Sequence, residues 1–449
     1  MIEILGKIGY NYVCIFISVF FVKECDNVKK IISAIISLSV IITLTSCGKP
    51  VEDVPVMATV ISVSETTAET TVTTTVITTE ATTTTAVTEP EPEFATVNIS
   101  AVGDNLIHSS IYKQAAARSA DGGYDFTYAY ENAVPLIRDA DMAIINQETL
   151  ICNDKYEPST YPRFNSPVAL GDHMLEIGFD VFTIANNHTL DKNEDGLQAC
   201  LDYWDSRENA IVAGAYRNAE DRANIRTGEF EGITFSFLSY TEYLNGLYLP
   251  EGSVMEIGDA FDVDTIVKEI TAAQEVSDVC VVAMHWGVEK SDVISDYQRT
   301  TAKQLAEAGA DIIIGNHPHV LRDIEEIERE DGSTALCAYS LGNFISAQSV
   351  GQNLIGGVLN FDVTMRVDEN AEENQRPIID NIEFIPVITH YDGNYHDIRI
   401  YPLDMYTREL ADSHGVKTMS KFGYEYIFEI LDKNISDKYL DTDKYYIAE

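Results

Sequence analysis

Six short apolar runs in this chain each stop at a polar cluster, and this limits the fold more than any other feature of the sequence. The runs are Val97–Val102, Met142–Ile145, Val181–Ile184, Val279–Met284, Ile312–Ile314 and Leu336–Tyr339. Their lengths suit buried strands, and helical stripes lie between them. Leu197, Cys200, Leu201 and Trp204 make one stripe; Val263, Ile266, Val267, Ile270 and Ala273 make another. Alternation of this kind predicts an α/β fold with parallel strands. Beyond residue 350 the pattern changes. Leu354–Val363, Ile379–Ile388 and Asp397–Tyr401 read as antiparallel strands of a second sheet, with a short helix at about Met419–Leu431.

The polar clusters follow the strands directly. They are Gly103-Asp104, Asn146-Gln147-Glu148, Ala185-Asn186-Asn187-His188, His285-Trp286-Gly287, Gly315-Asn316-His317-Pro318-His319 and Ser340-Leu341-Gly342-Asn343-Phe344. In open α/β sheets, ligands bind at the carboxyl ends of strands, so six such clusters on one edge would make a single site. Imidazoles, carboxylates and amides together suit a divalent transition metal, manganese, iron or zinc, better than calcium. His317 and His319 are two residues apart and can share one side of a turn. Asn187 offers an amide oxygen beside His188, an imidazole left outside the ligand set.

Charge narrows the partners. With 72 acidic against 30 basic residues, the net charge of -42 argues against nucleic acid. An anionic substrate would need a local positive centre, which a bound metal supplies. Seven cysteines with no Cys-x-x-Cys pair argue against a structural zinc site, and Cys200 and Cys280 read as buried thiols.

Taken in order, the six clusters, with His285-Trp286-Gly287-Val288-Glu289 extending the fourth, resemble the CapA capsule-synthesis family. That family is a branch of the calcineurin-like metallophosphoesterases, and the resemblance covers roughly residues 96–400. It implies a four-layer α/β/β/α sandwich of two mixed sheets with two divalent ions. By motif matching, Asp104 and His319 look to one ion, and Asn187, His285 and His317 to the other. Glu148 bridges, and His188 is the acid beside them. There is one departure. Metallophosphoesterases open with Asp-x-His, whereas Asp104 is followed by Asn105-Leu106, with His108 four residues on. The first metal position is therefore expected to be weak or empty.

Around this set, Arg163 is a candidate grip for a carboxylate or phosphate. Glu289 either binds substrate or orients His285. Asn343 is expected to hold a turn through the backbone. Two functional classes follow. One is a hydrolase of a phosphoester, or of an amide in a polyglutamate-like surface polymer. The other is a non-catalytic part of a polymer synthesis or export complex.

The amino-terminal part reads as targeting sequence. Lys29-Lys30 precede an apolar run, Ile31–Ile42, and then Leu44-Thr45-Ser46-Cys47-Gly48. This order of charge, apolar run and small residues resembles a bacterial lipobox, with Cys47 lipidated. An uncleaved anchor is the alternative. Residues 1–27, with a second apolar stretch Tyr12–Val22, fit either a start at Val28 or a first transmembrane helix. The expected organisation is a targeting segment at 1–47, a Thr-rich disordered linker at 48–95, the main domain at 96–405 and a helical extension at 406–449. The expected location is the outer face of the cell membrane, with a surface polymer, and components of its synthase, as partners.

Overall fold

The computed structural model describes residues 2–8, 11–17, 92–368 and 375–445. Ile2–Ile8 and Asn11–Ile17 form an antiparallel hairpin, so the apolar stretch from Tyr12 is extended as far as Ile17. Cys47 and nearly all of the Thr-rich segment lie outside the described residues. No helix among the described residues is long and apolar enough to cross a membrane.

From Phe94 onward, leaving aside the short antiparallel pair Ala215–Tyr216 and Glu256–Ile257, the strands are β1 (Phe94–Asn105), β2 (Met142–Asn146), β3 (Val181–Thr183), β4 (Ile211–Ala213), β5 (Arg226–Phe230), β6 (Ile233–Thr241) and β7 (Val279–His285). They continue as β8 (Ile312–Asn316), β9 (Leu321–Glu328), β10 (Thr334–Leu341), β11 (Asn343–Ile345), β12 (Ile355–Arg366), β13 (Ile378–Asp392) and β14 (His396–Pro402). The main helices are α1 (Ser109–Arg118), α2 (Val168–Ile177), α3 (Asn193–Asp205), α4 (Val263–Gln274), α5 (Asp296–Ala308) and α6 (Tyr424–Asn434).

Two mixed sheets result. One has the order β14-β13-β12-β1-β2-β3-β4, with β11 paired to β1; the other has the order β9-β10-β8-β7-β6-β5. Strands β1 to β4 run parallel, as do β6, β7, β8 and β10; antiparallel strands close both edges of the second sheet and one edge of the first, whose other edge is the parallel β4. This corrects the expected grouping. The strands after residue 350 do not build a separate sheet; β12 joins β1 directly, with Val358 opposite Val102. The second sheet is made instead from the middle of the chain.

Alternation along β7 shows how the layers form. Val279 and Val281 share a core with first-sheet residues such as Ile99 and Ile144. Cys280, Val282 and Met284 face the other way, into a cluster with Ile266 and Ile270 of α4 and Leu305 of α5. Side chains alternate faces along a strand, so one apolar run serves both the sheet-to-sheet and the sheet-to-helix interface. On the outer side of the first sheet, Trp204 of α3 packs on Phe182, ring centroids 4.3 Å apart. The expected α3 stripe is buried throughout; on α4, Val263 and Val267 are half-buried and the rest of the stripe is fully buried.

Helix ends follow local chemistry. Ser295 and Gln298 form a capping box at the start of α5, which ends at Gly309 in the left-handed region. The carboxyl-terminal helix starts at Tyr424, later than expected, after a 3-10 turn at Gly415–Thr418. Ile427 and Leu431 of α6 are fully buried in the same core as the sheets. The parallel strands end in register: Asp104 pairs with Asn146, Asn146 with Thr183, and His285 with both Thr241 and Asn316. That register brings the polar clusters together.

Candidate metal centre

Asp104, Glu148 and His319 converge at the strand ends, each offering a donor atom within 4.8 Å of the others'. His319 Nδ1 lies 3.0 Å from Asp104 Oδ2 and 3.7 Å from Glu148 Oε2. The other carboxylate oxygen, Glu148 Oε1, lies 3.7 Å from His285 Nε2. That nitrogen is also 3.0 Å from Asn187 Oδ1 and 3.1 Å from His317 Nδ1. Glu148 thus sits between two donor groups, Asp104 with His319 on one side and Asn187, His285 and His317 on the other. All six side chains are buried.

Elements supply these groups from both sheets. Asp104 is the penultimate residue of β1, Glu148 follows β2 and Asn187 follows β3; His285 ends β7, while His317 and His319 follow β8. The backbone at His317 and His319 has φ of 96° and 57°. Such left-handed conformations cost about 1–3 kcal/mol each and concentrate at functional sites. Asn146 aligns the set: its Nδ2 donates to Asp104 Oδ1 at 2.7 Å and lies 3.4 Å from His285 Nδ1.

Both Glu148 oxygens are buried without a hydrogen-bond donor. An orphaned buried carboxylate costs free energy unless a cation is present. Burial, and then Asp104 beside it, pushes the Glu148 carboxyl well above its usual range. Burial lowers His317 to about 3 and, with His317 and His319 adjacent, holds His285 well below the ordinary imidazole range. Both imidazoles are therefore neutral, the state that ligates. Burial also opposes charge on His319, but Glu148 and Asp104 outweigh it and raise that ring to about 9. A proton there is what a cation would displace. This donor set can hold metal.

His188 stands apart from the cluster. Its Nδ1 is 2.8 Å from Asp191 Oδ2, and its ring meets Phe164 edge-on at 4.7 Å. Asp191, three residues on from His188 in the same turn, escapes a reading of strand ends. A cleft of about 830 Å³ opens beside His188, lined also by Leu106, His108, Arg163, Asn187, Glu289, Lys290 and His319. Arg163 and Glu289 are exposed on it. Leu106, at the position of the missing histidine, is buried. His108 is held by the backbone, its Nδ1 lying 3.2 Å from the Ala347 N–H and 3.1 Å from the Leu106 carbonyl. Trp286 packs beneath, stacked on Tyr339 with Nε1 donating to the Tyr339 carbonyl.

An α/β/β/α sandwich with the carboxylate of Glu148 set between Asp104 with His319 and Asn187 with His285 and His317 defines an α/β protein with a candidate metal centre at its strand ends. Within that class, the family described as bacterial capsule synthesis protein PGA_cap matches residues 98–348, more than half of the chain, and the chain belongs to it. It is 27% identical over 258 residues to the PGA biosynthesis protein CapA of Bacillus subtilis (strain 168), covering 56% of this chain and 64% of that one. It is 27% identical over 237 residues to the capsule biosynthesis protein CapA of Bacillus anthracis, covering 50% and 55%. The match thus spans less than two thirds of either relative. A solved Staphylococcus aureus structure, provisionally described as a 5'-nucleotidase, is 15% identical with a TM-score of 0.39, covering 65% of this chain and 54% of that one. Likeness at that level carries no argument.

Proposed function

We propose that this protein is a metal-dependent hydrolase of capsule or poly-γ-glutamate synthesis, cutting a phosphoester or amide of an anionic surface polymer. The observation that carries this reading is Glu148, whose two unpartnered oxygens face two separate donor groups. Asp104, Glu148 and His319 would hold one divalent ion, and Glu148, Asn187, His285 and His317 a second. Manganese, iron and zinc all suit these donors. Such a pair of ions supplies Lewis acidity for the scissile group and activates water.

The chain's own residues do the rest. Asp191 holds His188 through Nδ1, leaving Nε2 to pass a proton to a leaving group. Arg163 and Lys290 place positive charge along the cleft, where an anionic chain would lie. Phe164 packs against His188 and keeps its ring edge-on.

Leu106 favours a second reading, a non-catalytic component that uses the same fold in a synthase complex. One experiment separates the two: metal content of the purified protein, with turnover of bis(4-nitrophenyl) phosphate and of poly-γ-glutamate. Two bound ions with turnover of either substrate supports the hydrolase. Bound metal with no turnover of any ester or amide favours the assembly component.

We also place the protein on the outer face of the membrane, anchored through Cys47. The support is the order of Lys29-Lys30, the apolar run and Leu44-Thr45-Ser46 ahead of it. Cys47→Ala should abolish lipid labelling and membrane retention; a variant that stays labelled and bound ends this reading.

A further inference from the structure

Asn343 does hold a turn, as its sequence position implies, but only its amide nitrogen is used for that. Nδ2 lies 2.7 Å from the Asn353 carbonyl, 3.1 Å from Gln348 Oε1 and 3.2 Å from Ser346 Oγ. Three acceptors around one NH2 group fix which way the amide faces. Oδ1 must then point at the centre, where it lies 3.0 Å from His319 Nδ1. The same ring nitrogen is 3.0 Å from Asp104 Oδ2 and 3.7 Å from Glu148 Oε2. One imidazole nitrogen carries one proton or one lone pair, so it cannot satisfy three oxygens. Convergence of three oxygens and a nitrogen is a ligand arrangement rather than a hydrogen-bond network.

The fold delivers Asn343 to this place. β11 runs parallel to β1 with Asn343 opposite Asp104, and the Asp104 N–H donates to the Gly342 carbonyl at 2.9 Å. A Cβ on Gly103 would come within 1.9 Å of that carbonyl oxygen, and one on Gly356 within 2.1 Å of the backbone carbonyl oxygen of Asn343. Only glycine admits this approach at both positions. Other candidates for the vacant donor role are engaged elsewhere. Leu106 is apolar, and Asn105 is tied to Gln147 and Tyr130.

We propose that Asn343 Oδ1 is the fourth donor of the first metal position, with Asp104, Glu148 and His319, in place of the histidine this chain lacks. This rests on the metal-centre reading above. The two positions then differ in kind. The first has three oxygens and one nitrogen; the second has two of each. Oxygen-rich sites favour manganese or magnesium, and imidazole-rich sites favour zinc or iron.

The test is a Mn²⁺ titration by calorimetry on the full chain, with metal counted by mass spectrometry. Wild type should bind two ions. Asn343→Leu should weaken one of them by about 100-fold or more and leave the other, whereas Asn343→Asp should keep both. Anomalous diffraction from Mn²⁺-loaded wild type should put Asn343 Oδ1 within direct bonding range of the ion, with no water between them. That measurement separates a ligand from a residue that merely orients His319, and it stands even if Asn343→Leu fails to fold. Two ions bound equally well by Asn343→Leu, or a water between Oδ1 and the ion, overturns the assignment and leaves the metal centre standing. A single ion at the second position overturns it as well. No Mn²⁺ bound by wild type removes the metal-centre reading itself, and this inference with it.

Discussion

Two groups of buried histidines in this molecule invite comparison. His285, His317 and His319 lie at the strand ends; His390 and His414 lie where β13 meets the carboxyl-terminal segment. At the second place each contact has a chemical complement. His414 Nε2 is 3.0 Å from the Thr389 carbonyl, and its Nδ1 accepts the Val416 N–H at 3.1 Å. His390 Nδ1 meets the Tyr406 hydroxyl at 2.9 Å. The His414 ring meets those of His390 and Phe422 edge-to-face. At the strand ends the nitrogens face one another and carboxylate or amide oxygens, while Glu148 has no donor at all. Burial is equal in the two groups. Complete partnering is what marks one as packing, and its absence marks the other as a site for something bound.

The sharpest way to break this contrast is to remove one histidine from each group. His317→Ala should lose bound metal and turnover together, as should chelation of the wild type. His390→Ala should leave the metal content unchanged, as measured by mass spectrometry of dialysed protein. Equal metal loss in both would dissolve the distinction. Next in size is His188→Ala, which should keep its metal and lose turnover by about 10²–10⁴-fold. Loss of metal to the same extent as in His317→Ala would move His188 into the ligand set.

A smaller effect tests the packing group. Burial holds His414 at about 3, below its unfolded value of 6.5. The unfolded chain therefore binds the extra proton first, and stability is lost as pH falls from 6.5 towards 3. The slope approaches about 1.4 kcal/mol per pH unit at most. Denaturant titrations from pH 7.5 to 5 should show this slope in wild type and a flatter one in His414→Gln. The same slope in both would mean that acid acts elsewhere. The smallest effect concerns the Thr-rich segment. A chain beginning at Pro92 should melt at the temperature of one beginning after Cys47, because that composition cannot form a core; a lower melting temperature would show that it packs on the domain.

The contrast also explains what the sequence could disclose. Runs such as Val279–Met284 announce strands because both faces are buried, and their polar ends announce the site. β9, Leu321-Arg322-Asp323-Ile324-Glu325-Glu326-Ile327-Glu328, is an edge strand with charged residues between its apolar ones, and it gave no such run. Pairing partners were equally hidden. Nothing local to Val358 says that it lies against Val102, so the sequence pattern alone groups the carboxyl-terminal strands into a separate sheet. Within the site, ligand-type residues stood out at strand ends, while their supports did not. Asp191 and Asn146 act through side-chain geometry that only the folded turn creates. Asn343 is a turn-type residue and serves as one; that its Oδ1 faces the centre follows from the acceptors around its nitrogen, which only the fold brings together.

The donors are divided between the two sheets, and this has a mechanical consequence. Asp104 and Asn187 belong to one sheet, His285, His317 and His319 to the other. A metal ion at either position would therefore join both, riveting the sandwich along one rim. At the opposite rim, where β1 begins at the exposed Phe94 and β13 at the exposed Ile378, the sheets are linked by the longer, part-exposed ion pair of Arg376 with Asp311 at 3.6 Å, a weaker fastening. Local opening begins where fastening is least. Amide exchange in the loaded protein should accordingly be fastest along that far rim, and the sandwich should part there first, like a book held shut at its spine.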